Sequence, residues 1–314
     1  MPVKTEQIKF FQEHGRSPRP AKLSRIAIRH PLAVFVQFLL IAGRPPNWRQ
    51  RKLLRYAIDT GYLAWPLKIS SLLSRARILD FGSGRSLHFV GYLLAGAKEY
   101  VGDDPTQNFS STLVKSKKTG KRVDIEMPLA GVSAVFPQVL FTSNLETIRK
   151  NNRFDVAILH NVTEHLPNLS QEFDTIAQAL DPGGLIIFHH HNFFCWDGHH
   201  CAPKREEDYD GQSEAHNQVV DWAHIDFDPP EKHGIRSSTL NRITLDQLKA
   251  ETEARFEILH WTEMISPVGK GGGRFDRIPE GLLNRFSNRD LTVKNVLCIA
   301  QKRHDTLIAS SKKH

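Results

Sequence analysis

The chain has 314 residues, three cysteines and a formal net charge of +8, with 40% hydrophobic and 24% charged residues. That balance suits one large globular domain with additions and excludes a disordered chain, while so few cysteines exclude a disulfide framework. No apolar run reaches the roughly 18–20 residues of a membrane span, and no secretory apolar core precedes a cleavage site, so a reducing, cytoplasmic location is expected. The charge is uneven. Residues 1–60 hold twelve Lys and Arg against Glu6, Glu13 and Asp59, a net +9, whereas the rest of the chain nets −1. The basic character belongs to an N-terminal arm able to meet phosphates, acidic headgroups or an acidic partner; no nucleic-acid partner is expected for the body.

Residues 1–30 are polar, basic and broken by prolines. Residues 32–43 are almost wholly apolar and stop at Arg44-Pro45-Pro46. Twelve such residues are too short to cross a bilayer and predict a helix packed on the body, with an arginine-flanked membrane-surface anchor as the other reading. Leu53, Leu54, Ala57, Ile58 and Leu63 predict helix over 49–73. From Arg75 the pattern changes. Residues 77–81 read as a strand ending in the loop Gly82-Ser83-Gly84, 86–95 as a helix, and 99–104 as a strand with carboxylates at its end. Residues 105–137 read as helix and loops, 139–142 as a third strand and 155–159 as a fourth. Leu166, Leu169, Phe173, Ile176 and Leu180 share a helical face; Asp181-Pro182-Gly183-Gly184 reads as a turn and 185–188 as a buried strand. Alternation of this kind predicts a mostly parallel sheet covered on both faces. After residue 192 it stops for about fifty residues, read as a lid or substrate wall. Residues 244–252 resume as helix; 256–261 and 296–300 read as two last strands flanking the glycine-rich loop 269–273.

Chemistry concentrates at the first glycine loop. Glycines after a strand permit a tight turn and close approach of a ligand to the backbone. Asp104, 22 residues after Gly82, stands at the end of the second strand, where a carboxylate can accept both hydroxyls of a ribose. A nucleoside-containing cofactor follows. Leu87 sits where a dinucleotide fold needs its third glycine, and Asp80 would repel a pyrophosphate but attract a sulfonium or ammonium group.

Ile78 to Gly84, with its hydrophobic-Asp-x-Gly-x-Gly pattern, resembles the first motif of the class I S-adenosylmethionine-dependent methyltransferases. Asp104 in Val101-Gly102-Asp103-Asp104-Pro105 matches their ribose-binding acid, residues 155–166 their fourth strand and following Glu-His, and 180–187 the turn into their fifth strand. The resemblance implies a Rossmann-like class I methyltransferase fold: a seven-stranded, mostly parallel sheet with helices on both faces, its last strand antiparallel, plus a helical N-terminal extension. It implies S-adenosylmethionine as cofactor, with Asp80, Gly82, Ser83 and Gly84 along its methionine and ribose side, Asp104 at the ribose, Asn144 near the adenine, and His160 and Asn161 near the methyl group. Glu164 and His165 read chiefly as helix caps. Ser86 stands where many members carry a glycine.

A second signal is local. His189, His190, His191, His199 and His200 fall within thirteen residues at the end of the fifth main strand. They could supply a general base, bind a divalent metal, or be structural. Strand alternation sets His190 on the opposite face from His189 and His191, and the spacing fits no standard zinc framework, so no metal ligand is assigned. The expected bases are His190, His199, His200 and His165. Trp196, Trp222 and Trp261 could wall a substrate, with core packing favoured for Trp261. Asp226-Phe227-Asp228-Pro229-Pro230 is rejected as a nucleic-acid methyltransferase motif, since it follows the wrong strand and lacks the aromatic. The expected organisation is an extension over 1–73, a methyltransferase domain over 74–304 with a lid-like insertion about 193–240, and a polar tail over 305–314. The expected reaction is O-methylation of a small molecule or glycan, lipid-linked acceptors included, with peripheral membrane contact through residues 16–55 as the anchor reading. A non-catalytic methyltransferase-like scaffold is the alternative.

Overall fold

The computed structural model describes residues 30–144, 153–203, 205–226, 240–269 and 273–303, together with Glu6, Lys9 and Glu13. Most of the basic arm, residues 227–230 of the rejected motif, part of the expected lid, the centre of the 269–273 loop and the 305–314 tail lie outside these residues.

Seven strands form one sheet: β1 (Arg77–Phe81), β2 (Glu99–Asp103), β5 (Val139–Thr142), β6 (Phe154–His160), β7 (Leu180–His191), β8 (Phe256–Ile265) and β9 (Val293–Lys302), in the order β5-β2-β1-β6-β7-β9-β8. β1 pairs in parallel with β2 and β6, β2 with β5, and β9 runs antiparallel to β8. The continuous apolar runs of β1, β6 and β7 have the composition of strands covered on both faces: Ile78, Leu79, Val156, Ile158, Ile186 and Ile187 have no exposed surface.

The first compact unit takes the chain to Ile158 and adds Ala179–Ile186. Among the described residues its α-helices are α1 (Pro31–Ala42), α2 (Trp48–Thr60), α3 (Ala64–Lys68) and α4 (His88–Leu94). Pro31 opens α1, and Gly43 closes it in the left-handed region at φ 66°, donating to Leu39 O at 2.9 Å. Asn47 and Gln50 make a reciprocal capping box on α2. Phe89 packs edge-on against Phe136 and Phe141, with centroids 5.7 and 5.8 Å away, and Tyr92 stacks on Tyr100. At the start of β1, Arg77 binds Asp155 through its backbone N–H and guanidinium, at 2.8 and 3.0 Å, and also pairs with Asp181.

Three readings of local structure change here, the first being the helix over 49–73, which Gly61 at φ 85° breaks into α2 and α3. Residues 105–137 contain a short hairpin, β3 (Leu113–Lys115) with β4 (Arg122–Asp124), because Gly120 at φ 70° turns the chain and donates to Ser116 O at 2.9 Å. Asp181-Pro182-Gly183-Gly184 lies inside β7, kinked at Gly183 with φ 75°.

The second unit comprises Leu159–Gln178 and Ile187–Arg303. Its helix α5 (Leu169–Ala179) starts later than periodicity predicts, since Pro167 holds Leu166 extended at ψ 110°. Helix α6 (Leu245–Glu253) opens on a Thr244–Gln247 capping box. Phe173 meets Phe188 and Phe256 at 5.9 and 6.0 Å. The described part of the expected lid carries an apolar core of its own: Phe193, Phe194, Trp196, Val220, Trp222 and Ile225 pack with Leu240, Val268, Ile278, Leu282 and Leu291. Trp196 and Trp222 are therefore core residues rather than a substrate wall, whereas Trp261 is only half-buried and donates to Glu263 Oε1 at 2.6 Å.

Candidate active site

In the first unit, the chain leaves β1 through Gly82 and Gly84, both in the left-handed region at φ 70° and 58°. The N–H groups of Gly82 and Ser83 donate to Asp103 O at 2.8 and 3.0 Å, which folds the loop against the end of β2. Gly84 N–H donates to Asp104 Oδ2 at 3.1 Å, and Thr106 donates to Oδ1 from its N–H at 2.9 Å and its hydroxyl at 2.7 Å. Both Asp104 oxygens are thus oriented before any ligand arrives. A Cβ built on Gly84 would meet nothing within 4 Å, so its backbone faces open space. Asp80 is buried beneath and accepts from the Tyr100 hydroxyl at 2.9 Å. Gly102 makes that bond possible, as a Cβ there would lie 2.8 Å from the Tyr100 oxygen. Burial pushes the Asp80 carboxyl up to about 7, opposed by the Tyr100 bond and the Lys117 charge and helped by Asp104. Asn144 is exposed just beyond β5, its N–H donating to Thr142 Oγ1 at 3.0 Å.

In the second unit, His160 ends β6 and Asn161 turns the chain at φ 57°. Asn161 N–H donates to His189 O at 2.8 Å, and its Oδ1 pairs with His189 Nδ1 at 2.6 Å. Glu164 does not cap a helix. It sits in a buried turn, where burial raises its carboxyl to about 8 and its Oε1 finds no hydrogen-bond partner among the described residues. The four histidines expected as bases occupy two kinds of environment. His190 and His199 are each only 1% exposed. His190 Nδ1 pairs with Thr163 Oγ1 at 2.9 Å, and burial pushes its pKa down to about 3 with His191, His189 and His165 adding to the shift. His199 Nδ1 accepts from Cys201 N–H at 3.0 Å. His165 and His200 are half-buried: their rings meet edge-on at 5.3 Å, and His200 stacks on His191 at 4.4 Å. Burial lowers the His165 pKa, and the His191 charge adds to this.

A family profile described as a methyltransferase domain matches residues 48–255, more than half of the chain. The chain belongs to this family. It is an enzyme of the class I, S-adenosylmethionine-dependent methyltransferases. Among solved structures it is similar to an S-adenosylmethionine dependent methyltransferase from Mesorhizobium loti, with 20% identity over 74% of this chain and 93% of that one and a TM-score of 0.41. It is also similar to the PH0226 protein from Pyrococcus horikoshii, with 14% identity, 79% and 92% coverage and a TM-score of 0.44. A third is TehB from Haemophilus influenzae, with 11% identity, 80% and 67% coverage and a TM-score of 0.43. No curated protein matches it.

The residues of this methyltransferase fit its cofactor by the chemistry of their donor set. Two buried carboxylates, Asp80 and Asp104, flank a glycine whose backbone faces open space, which suits a cationic amino acid joined to a ribose and would repel a pyrophosphate. Sequence reasoning did not assign Lys117, Tyr100 or Thr106 to the site. Thr106 carries a local signal, because Asp104-Pro105-Thr106 is the composition of a turn closed by its own aspartate. Lys117 carries none: the hairpin that brings its charge to Asp80 was not visible in the pattern.

Proposed function

We propose that this methyltransferase transfers a methyl group to a hydroxyl oxygen of a small molecule or glycan, with a half-buried histidine taking the proton. What supports the cofactor half is the prearranged set of Asp104, Gly84 and Asp80. Bound S-adenosylmethionine supplies an electrophilic methyl group on a sulfonium sulfur. Asp104 would accept from the ribose hydroxyls, Asp80 would hold the cationic methionine portion, and Ser83 and Asn144 would complete the first unit's part of the cofactor set. Alignment of acceptor and methyl group provides most of the acceleration, and the imidazole adds to it by receiving the acceptor proton. His165 and His200 are the bases proposed, as the half-buried members of the set, whereas His190 and His199 are sealed from solvent. His200→Gln and His165→Gln are expected to differ: the one that serves as base loses about 100-fold in kcat while its cofactor Kd stays unchanged. S-adenosylhomocysteine release against a panel of hydroxylated acceptors measures this, and full turnover in both variants and in the double variant would remove histidine from the reaction.

Asp80 also links the cofactor to pH. Its carboxyl and that of Glu164 are raised from 3.8 to about 7 and from 4.5 to about 8. Between those limits the folded protein keeps protons that the unfolded chain has lost, so stability is greatest at the acid end and falls as pH rises towards about 8. A cationic ligand favours ionised Asp80. Binding at about pH 6 should therefore release protons, which binding at about pH 9 should not. Calorimetry in two buffers of different ionisation enthalpy reads this release, and Asp80→Asn should abolish it.

The reading extends to organisation and place: residues 1–73 serve as an extension, 74–304 as the catalytic domain with a lid-like insertion near 193–240, and the protein works in the cytoplasm against a membrane surface. No described helix is long and apolar enough to cross a membrane. Support comes from α1, which buries Val34 and Phe38 yet exposes Leu32, Val36, Leu39, Leu40 and Ile41, with Trp48 exposed nearby and Arg44, Arg49, Arg51 and Arg55 following. Apolar residues beside arginines suit an anionic bilayer surface. Replacing Leu32, Val36 and Leu40 together by glutamate should release the protein from anionic vesicles in a flotation assay, with cofactor binding intact. Retention on the vesicles would reject the anchor.

A further inference from the structure

We propose that His191, Cys195 and Asp197 form a three-ligand site for a divalent cation of the zinc class. β7 ends at His191, and the turn over residues 192–198 brings Cys195 and Asp197 back beside it. His191 Nε2 and Cys195 Sγ are 3.7 Å apart, Cys195 Sγ and Asp197 Oδ1 3.3 Å, and His191 Nε2 and Asp197 Oδ1 3.9 Å. Zinc bonds of about 2.3 Å to sulfur and about 2.0–2.2 Å to nitrogen and oxygen, at tetrahedral angles, give edges of roughly 3.3–3.6 Å. The three donors therefore outline one face of a tetrahedron around a single ion, with small adjustments on binding.

The surroundings are those of a built site. Cys195 has no exposed surface and Asp197 only 3%, while His191 is half-buried. Lys294 on β9 pairs with Asp197 Oδ2, leaving Oδ1 as the ligating oxygen and fixing the carboxylate's orientation. The turn itself is held by Asn192, whose Nδ2 donates to Asp290 O and Val293 O at 2.6 and 2.7 Å and whose Oδ1 accepts from Phe194 N–H at 3.0 Å. One thiolate, one imidazole and one carboxylate suit zinc or cobalt better than magnesium or calcium, which take all-oxygen sets. On binding, the Cys195 thiol proton leaves to solvent, and the hydrogen bond from Sγ to Asp197 is replaced by two bonds to the metal. The histidine-rich stretch showed no zinc framework because two of the three ligands are not histidines and lie four and six residues after the first.

The test is cobalt titration of the full, metal-stripped chain. Saturation at one cobalt per chain, with tetrahedral visible bands, a thiolate-to-cobalt charge-transfer band in the near ultraviolet and displacement by zinc, is the expected result. Cys195→Ser should lose the charge-transfer band and bind cobalt at least 100-fold more weakly, whereas Cys201→Ser and Cys298→Ser should keep both. Zinc-edge X-ray absorption on the unaltered protein decides the matter even if Cys195→Ser fails to fold: one sulfur among the nearest neighbours supports the site. Absence of stoichiometric cobalt binding by folded protein, a zinc shell without sulfur, or a charge-transfer band that persists in Cys195→Ser would each overturn it.

Discussion

Asp104→Ala is expected to weaken S-adenosylmethionine binding by about 100-fold. Its carboxylate accepts from Gly84 and Thr106 and has lone pairs left for a ribose, and hydrogen bonds to a charged group contribute about 1.5–3 kcal/mol each. Losing the charge removes the ribose contact and also leaves the Gly84 and Thr106 N–H groups without their acceptor, so the loop no longer waits in the bound shape. Asp104→Asn keeps one carbonyl oxygen and should lose roughly tenfold. Titration calorimetry measures both, with NAD as a negative control. An unchanged Kd in Asp104→Ala would place the ribose elsewhere.

The second large effect concerns stability. Gly198→Ala is expected to lower unfolding free energy by at least about 3 kcal/mol and Tm by roughly 6–12 °C. A Cβ at Gly198 would stand 1.9 Å from Phe193 O, 2.4 Å from Phe193 C and 2.7 Å from Asn192 O. All three are backbone atoms, so no rotamer change relieves the clash. Nor can the turn open freely: Gly198 N–H donates to Cys195 O at 3.0 Å, and Phe193, Phe194 and Trp196 anchor the turn in the core beneath. Gly281→Ala is the matched control, since its Cβ would meet nothing within 4 Å and it lies in a short exposed helix. Differential scanning calorimetry should show a large shift for the first and almost none for the second. Equal Tm values would mean that the turn at 193–198 is not packed as described.

The parallel sheet was legible because its strands advertise themselves. Ile78-Leu79, Val156 to Leu159 and Leu185 to Phe188 are short unbroken apolar runs between helical patterns, and a strand covered on both faces buries such runs completely. The hairpin at 113–124 was not legible: its strands are three residues each, too short for any period to show. α5 was placed too early because its apolar period continues through Leu166, while the residue that decides the helix start is Pro167. At the candidate cofactor site, spacing pointed to Asp80, the glycines and Asp104, since the turn and the strand end that carry them are local. Lys117 and Tyr100 reach Asp80 only through pairing between strands and through the missing side chain of Gly102.

The histidines mark the boundary. Sequence by itself determined that five imidazoles crowd the end of one strand and that His190 points away from its neighbours, because a period of two is a property of any strand. It also pointed to a nucleoside-containing cofactor, through a glycine turn and an acid 22 residues on, while the choice of S-adenosylmethionine came from the family resemblance. Only the tertiary structure decided which histidines are sealed from water, that Trp196 and Trp222 are core, and that Cys195 and Asp197 return to meet His191. Those outcomes depend on how a long connection folds back on itself, and such closure is fixed by packing among distant residues that no local period records.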